Sequence, residues 1–284
     1  MKLGKIGVWW SKPWKAGDLE LDIAAEMETL GYSALWSGGG FERGLSKRFE
    51  SQLASTSHVV VASGIVNIWR SSPEELAQAA VGLEERYPGR FLLGLGTSHA
   101  VLVKEHARPY AQMVGYLDAL DSAGPAVARD RRVLGALGPR MLKLAGDRTA
   151  GAHPYCVPPE HTARARGIMG PDALLAPAVT VVLEREPDTA RELARTFTQP
   201  FLSLPEYASN LRSLGFSQAD LAGGGSDRLV DAVVCWGDPD TVASKVHEHI
   251  EAGADHVCIE VVATPPRSFP LDQYRALAPV LLTS

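Results

Sequence analysis

His99 closes the run Phe91-Leu92-Leu93-Gly94-Leu95-Gly96-Thr97-Ser98-His99. An imidazole can give or take a proton near neutral pH, and a strand ending in glycines leaves room beside it for a substrate. A second chemically loaded stretch is Gly138-Pro139-Arg140-Met141. There glycine lets the backbone approach an oxyanion, and proline suits the first helical position. The free amides of a helix start favour negative charge, and Arg140 can add a bidentate contact. The same four residues also suit an ordinary strand-to-helix turn with a surface arginine. The third stretch is Ser63-Gly64-Ile65-Val66-Asn67, where a glycine inside an apolar run marks a bulge or a close backbone approach. Trp36-Ser37 precedes Gly38-Gly39-Gly40, which offer space and amides but no side-chain chemistry.

Other constellations fail on spacing. His247 and His249 are two apart and diverge on a helix. His256 and Cys258 share a strand face, but no third or fourth metal ligand accompanies them. There is no nucleophile elbow, P-loop or His-Glu-x-x-His. Gly94-Leu95-Gly96 lacks the third glycine of a dinucleotide fingerprint and ends the second strand of its unit, which argues against that use.

The elements around these residues repeat a single theme. Val59–Val61 and Ile65–Ile68 are apolar on both faces, as in a parallel strand covered on both sides. Ser72-Pro73-Glu74-Glu75 starts a helix whose Leu76, Ala79, Ala80 and Leu83 share one face. Pro88-Gly89 ends it, and Phe91–Gly96 is the next strand, completing a right-handed βαβ unit. Further strands are predicted at Ile6–Trp10, Tyr32–Trp36, Arg132–Leu137, Ala150–Tyr155, Val179–Glu184 and His256–Val262. Helices are predicted at Ala16–Leu30, Ser46–Ala54, Tyr110–Ala123, after Pro139, after Pro159, from Pro187 through Phe197, at Pro239–Ala252 and at Leu271–Leu282. Pro200–Gly225 breaks the rhythm as an insertion. Eight strands alternating with helices fit a (β/α)₈ TIM barrel spanning 1–284 as a single domain, ahead of a doubly wound open sheet. Catalytic residues are then expected just after the strands, on one rim.

The stretch SGIVNIWRSSPEELAQAAVGLEERYPGRFLLGLGTSH resembles the luciferase-like monooxygenase superfamily, and most closely its oxidoreductases dependent on the deazaflavin coenzyme F420. The resemblance rests on a strand ending Gly-Ile, a helix, a Gly-Arg-Phe turn and a Leu-Gly-x-Gly strand, and it extends over nearly the whole chain. It implies a luciferase-like barrel and a hydride carried by F420 to or from a small-molecule substrate. It implies a cis bond at Gly64–Ile65 whose bulge, with Ser63, backs the cofactor ring, and Asn67 on the ring edge. Trp36, Ser37, Thr97 and Ser98 are implied as further cofactor contacts. Gly138, Pro139, Arg140 and Met141 would hold the cofactor phosphate, with His153, Tyr155, His161 and Thr162 near its tail. His99 stands where some relatives carry a catalytic acid. Glycines at 38–40 replace an Asp-His pair of several relatives, which argues against a sugar-phosphate dehydrogenase mechanism of that kind. Two rivals keep the fold: an FMN-dependent monooxygenase or reductase, and a deazaflavin-binding homologue without catalysis.

Composition sets outer bounds. The 284 residues carry a net charge of −5, with 45% hydrophobic and 21% charged residues, as in an ordinary soluble globular protein. That charge gives no general attraction to nucleic acid or anionic membranes. The 3 cysteines lack Cys-x-x-Cys spacing, so a reduced cytoplasmic setting is expected, with no signal peptide and no membrane span. Relatives suggest a homodimer. Phe197, Phe201, Leu204, Tyr207, Leu211, Leu214 and Phe216 offer apolar surface for one, or alternatively cover the barrel mouth.

Overall fold

A computed structural model describes residues 3–10, 17–38, 45–99, 108–262 and 269–282. Strand β1 (Ile6–Trp10) leads to α1 (Gly17–Leu30), β2 (Ala34–Ser37), α2 (Leu45–Ala54) and β3 (Val60–Ser63). The short β4 (Val66–Asn67), α3 (Pro73–Arg86), β5 (Phe91–Gly96), α4 (Pro109–Ser122), β6 (Arg132–Leu134) and α5 (Pro139–Arg148) follow. Next come β7 (Gly151–Ala152), α6 (Pro159–Met169), β8 (Leu174–Leu175), β9 (Ala178–Leu183), α7 (Pro187–Leu202) and α8 (Pro205–Ser213). The chain ends with α9 (Asp227–Val233), β10 (Val234–Gly237), α10 (Pro239–Glu251), β11 (Val257–Val261) and α11 (Leu271–Leu281).

All pairings are parallel, in the order β10-β9-β11-β1-β2-β3-β5-β6-β7-β8, with β4 added to β5. With β10 set aside, the two ends of this order meet. β8 and β9 are segments of one strand path, separated only by Ala176 and Pro177, and Pro177 has no amide hydrogen for the ladder. Tyr155 bridges Ala178 in the same register that pairs Gly151 with Leu174. The sheet therefore curls into the barrel expected from the strand count. β10 was not predicted: its four residues follow α9 without a turn signal, and it lies outside the eight-strand ring against β9.

Residues that are apolar on both faces form these strands because α-helices cover the outside while side chains fill the inside. Inside, Trp36, Val60, Ala62, Leu92, Val133 and Cys258 form one buried cluster. The predicted Gly-Arg-Phe turn has a packing role. Arg90 donates to the carbonyls of Val59 (3.1 Å), Leu53 (3.2 Å) and Thr56 (2.9 Å), tying the end of α2 to the start of β3.

The Pro200–Gly225 segment is the end of α7, helix α8 and the turn before α9. Its apolar residues, with Phe197, belong to one cluster built with α7 and α9. Tyr207, Leu211 and Phe216 are buried there within the single chain. Among the described residues, no helix is long and apolar enough to cross a membrane.

Candidate active site

At the C-terminal ends of the strands lies a cavity of about 520 Å³. Its back wall is the turn between β3 and β4, where the Gly64–Ile65 peptide is cis, as the resemblance implied. The Gly64 amide donates to the Ser37 carbonyl (2.8 Å), anchoring this turn to β2. Ile65 projects across β5, and the glycines there make room for it. A Cβ on Gly96 would stand 2.0 Å from Ile65 Cδ1, and one on Gly94 2.0 Å from the Ser63 carbonyl oxygen. The Leu-Gly-Leu-Gly strand is thus small because its neighbour bulges into it.

Trp9 and His153 pack directly against Gly64, which has no room for a side chain. A Cβ there would lie 2.6 Å from Trp9 Nε1 and 3.0 Å from His153 Nε2. Trp9 lines the cavity, and among the described residues its buried Nε1 has no hydrogen-bond acceptor. The Trp9 ring stacks on Tyr155 at 5.0 Å between centroids. Tyr155 in turn donates to Glu260, a buried carboxylate on β11, and burial pushes its phenol well above the usual range.

His153 is held neutral. Its Nδ1 meets the Ala176 carbonyl at 2.7 Å, and since a carbonyl can only accept, Nδ1 carries the proton. Burial pulls its pKa down to about 4. Behind it, Trp36 stacks on the imidazole at 4.2 Å and donates through Nε1 to His256 Nε2 at 3.1 Å. His256 donates from Nδ1 to the Gly4 carbonyl and is also drawn down to about 4 by burial.

The mouth is shaped by β5, α5 and the insertion. Thr97, Ser98 and His99 follow β5, and Ser98 takes a left-handed φ of 58°, uncommon for a residue with a side chain. Helix α5 begins at Gly138, which lines the cavity with Met141 and gives no side-chain cap, leaving its first amides to other partners. Phe201, Glu206 and Tyr207 reach the cavity from α7 and α8. His99 Nδ1 faces Glu206 Oε2 at 3.4 Å.

Of the residues singled out in the sequence, the structure brings together Gly64, Ile65, Thr97, Ser98, His99, Gly138, Met141, His153 and Tyr155 on this wall. The others take different places. Trp36 and Ser37 are fully buried in the barrel, and the half-buried Trp9 occupies the layer at the cavity that Trp36 was expected to fill. Ser63 is also buried, its hydroxyl accepting from the Gly94 amide at 2.7 Å. Asn67 folds back to accept from the Trp69 amide at 3.0 Å. Pro139 only starts α5, and the exposed Arg140 points away, its guanidinium 4.2 Å from the centroid of the Tyr110 ring. His161 donates to the Leu137 carbonyl (2.9 Å), and Thr162 meets His249 (2.9 Å), so both serve helix packing. Neither His153 nor Tyr155 suits an anionic tail, one being neutral and the other bonded to a carboxylate. Gly39 and Gly40 lie outside the described residues. Glu206, Glu260 and Trp9 were missed, whereas Tyr207 had been named among the residues that could cover the barrel mouth. Glu260 was within reach, because it continues the His256-x-Cys258 face by two residues.

Among the described residues, no group of three or more His, Cys, Asp or Glu is placed to hold a metal. The model of the luciferase-like monooxygenase family matches residues 15–123. No curated protein matches the chain. Among solved structures, the chain is similar to an F420-dependent secondary alcohol dehydrogenase in complex with an F420-acetone adduct, with 16% identity, 99% of each chain covered and a TM-score of 0.74. It is similar to the coenzyme F420 dependent tetrahydromethanopterin reductase from Methanopyrus kandleri, with 15% identity, 98% of each chain covered and a TM-score of 0.74. It also resembles the oxygenating constituent of 3,6-diketocamphane monooxygenase from Pseudomonas putida in complex with FMN. There identity is 14%, coverage is 100% of this chain and 98% of that one, and the TM-score is 0.68. Residues 15–123 thus match the luciferase-like monooxygenase family, and the chain over its length has the luciferase-like barrel fold.

Proposed function

We propose that this protein is an oxidoreductase that uses the deazaflavin coenzyme F420 to move a hydride to or from a small organic substrate. The observation that carries the reading is the bulge at Gly64–Ile65, which backs a cavity walled by glycines and apolar side chains. A planar ring fits such a cavity, because the wall is flat where glycines carry no side chain, and Trp9 Nε1, without an acceptor among the described residues, offers a donor to a polar ring edge. When bound, the deazaflavin supplies a ring carbon that gives or accepts a hydride.

The chain's own residues do the rest. Gly64 and Ile65 support one face of the ring. The uncapped amides of Arg140 and Met141, at the start of α5, take the phosphate, without help from the Arg140 side chain. His99, at the cavity mouth, accepts or returns the substrate proton. The neutral His153 keeps fixed positive charge away from the back wall.

FMN in the same cavity is the second reading, and it draws on the FMN-bound relative of the same fold. A side-by-side titration of the ligand-free protein with F420 and FMN, read by calorimetry or fluorescence, separates the two. The expected result is micromolar or tighter F420 binding with much weaker FMN binding. Preference for FMN would overturn F420 dependence in favour of a flavin enzyme, and binding of neither would overturn both.

A further inference from the structure

The insertion between β9 and β10 brings a carboxylate to His99 at the mouth of the cavity. Glu206 lies in the first turn of α8, and its Oε2 stands 3.4 Å from His99 Nδ1. Both atoms are buried, and among the described residues neither has a hydrogen-bond partner. Two buried polar atoms of complementary type, 3.4 Å apart and carried by elements far apart in sequence, form an imidazole–carboxylate pair. Tyr207, the next residue, packs its ring 5.6 Å from that of His99, so α8 fixes the imidazole by contact as well.

We propose that Glu206 is the positioning residue of His99. Its ionised carboxylate can only accept, so it selects the tautomer with the proton on Nδ1 and leaves Nε2 bare as the atom that exchanges a proton with substrate. In the oxidative direction one O–H or N–H bond of the substrate breaks, its electron pair stays on the substrate heteroatom, and an N–H bond forms at Nε2. The resulting imidazolium lies beside the Glu206 carboxylate, which stays ionised and stabilises it. In the reductive direction the same proton returns. The role of Nε2 rests on the proposed oxidoreductase function, whereas the pair itself does not. The insertion that interrupts the βα rhythm thereby becomes part of the acid–base machinery rather than a surface elaboration.

The test is ¹⁵N NMR of the histidine side chains in the ligand-free protein, at a pH where His99 is neutral, with its signals assigned by their loss in His99→Ala. Wild type is expected to show Nδ1 protonated and Nε2 bare. Glu206→Gln, whose amide oxygen still accepts and whose shape is kept, is expected to retain that tautomer. Glu206→Ala is expected to shift His99 to a mixture with substantial Nε2–H. An Nε2–H tautomer in wild type, or an unchanged tautomer in Glu206→Ala, would overturn the proposal. Because no cofactor is present, failure here is distinct from a failure to bind F420.

Discussion

Replacing His99 by alanine is expected to lower turnover by roughly 10²–10⁴-fold, the usual contribution of a positioned general acid–base, while leaving F420 affinity close to wild type. The two effects separate because His99 sits at the mouth, whereas the ring site is built from Gly64, Ile65 and Trp9 at the back. Turnover is measured by following F420 reduction or oxidation with alcohols and carbonyl compounds that the wild type accepts. Only the acid–base step depends on the imidazole, so a residual rate from proximity and hydride transfer should persist. Wild-type turnover in His99→Ala would remove the residue from the mechanism. A large loss of F420 affinity would instead make His99 part of the ring site.

A second large effect concerns acid stability. His153, His249 and His256 are buried, and burial lowers each from 6.5 to about 4. In the unfolded chain they return to ordinary histidine values, so between pH 6.5 and 4 the unfolded state binds more protons than the native one. Stability is therefore fully present above pH 6.5, falls as pH drops through this window, and stops falling on their account below about 4. Each fully shifted group contributes about 1.4 kcal/mol per pH unit, so the three together contribute about 4 kcal/mol per unit in the middle of the window. Denaturant unfolding at several values between pH 7.5 and 4.5 measures the slope. His249→Gln, which can keep a hydrogen bond to Thr162, should reduce it by about a third, since each of the three carries a similar share. A flat profile from pH 6.5 to 5 would show that these imidazoles titrate normally in the folded protein.

Much of the architecture was legible because the barrel imposes a strong pattern. Doubly covered strands, helix starts such as Ser72-Pro73 and glycine turns punctuate each βα unit, and the eight predicted strands are the ones around the ring. β10 escaped because four residues directly after a helix carry neither alternation nor a turn. The bulge at Gly64–Ile65 was legible through the family pattern and, in physical terms, through the glycines at 94 and 96 that accommodate Ile65.

The site was only partly legible, and the misses have specific causes. Trp36 was a plausible ring contact by position, yet its layer in the barrel is the buried one. Gly7 and Trp9 share the inward face of β1; a Cβ on Gly7 would meet His256 Nε2 at 2.6 Å, so His256 fills the deeper layer and Trp9 the layer at the cavity. Arg140 was legible as a cation next to a helix start, but adjacent helical residues diverge by about 100°, so Met141 faces the cavity and Arg140 settles on Tyr110. Glu206 lies more than a hundred residues from His99, and only the folding of α8 over the barrel mouth brings the two together. No local spacing encodes that contact.

The central claim is that the glycine-walled cavity at the C-terminal end of the barrel is a deazaflavin site. A crystal structure of the protein soaked or co-crystallised with F420 tests it most directly. The account predicts the ring lying against Gly64 and Ile65, with Trp9 Nε1 hydrogen-bonded to it and the phosphate on the amides at the start of α5. F420 bound elsewhere on the chain, with that cavity empty or filled by protein side chains, would contradict it.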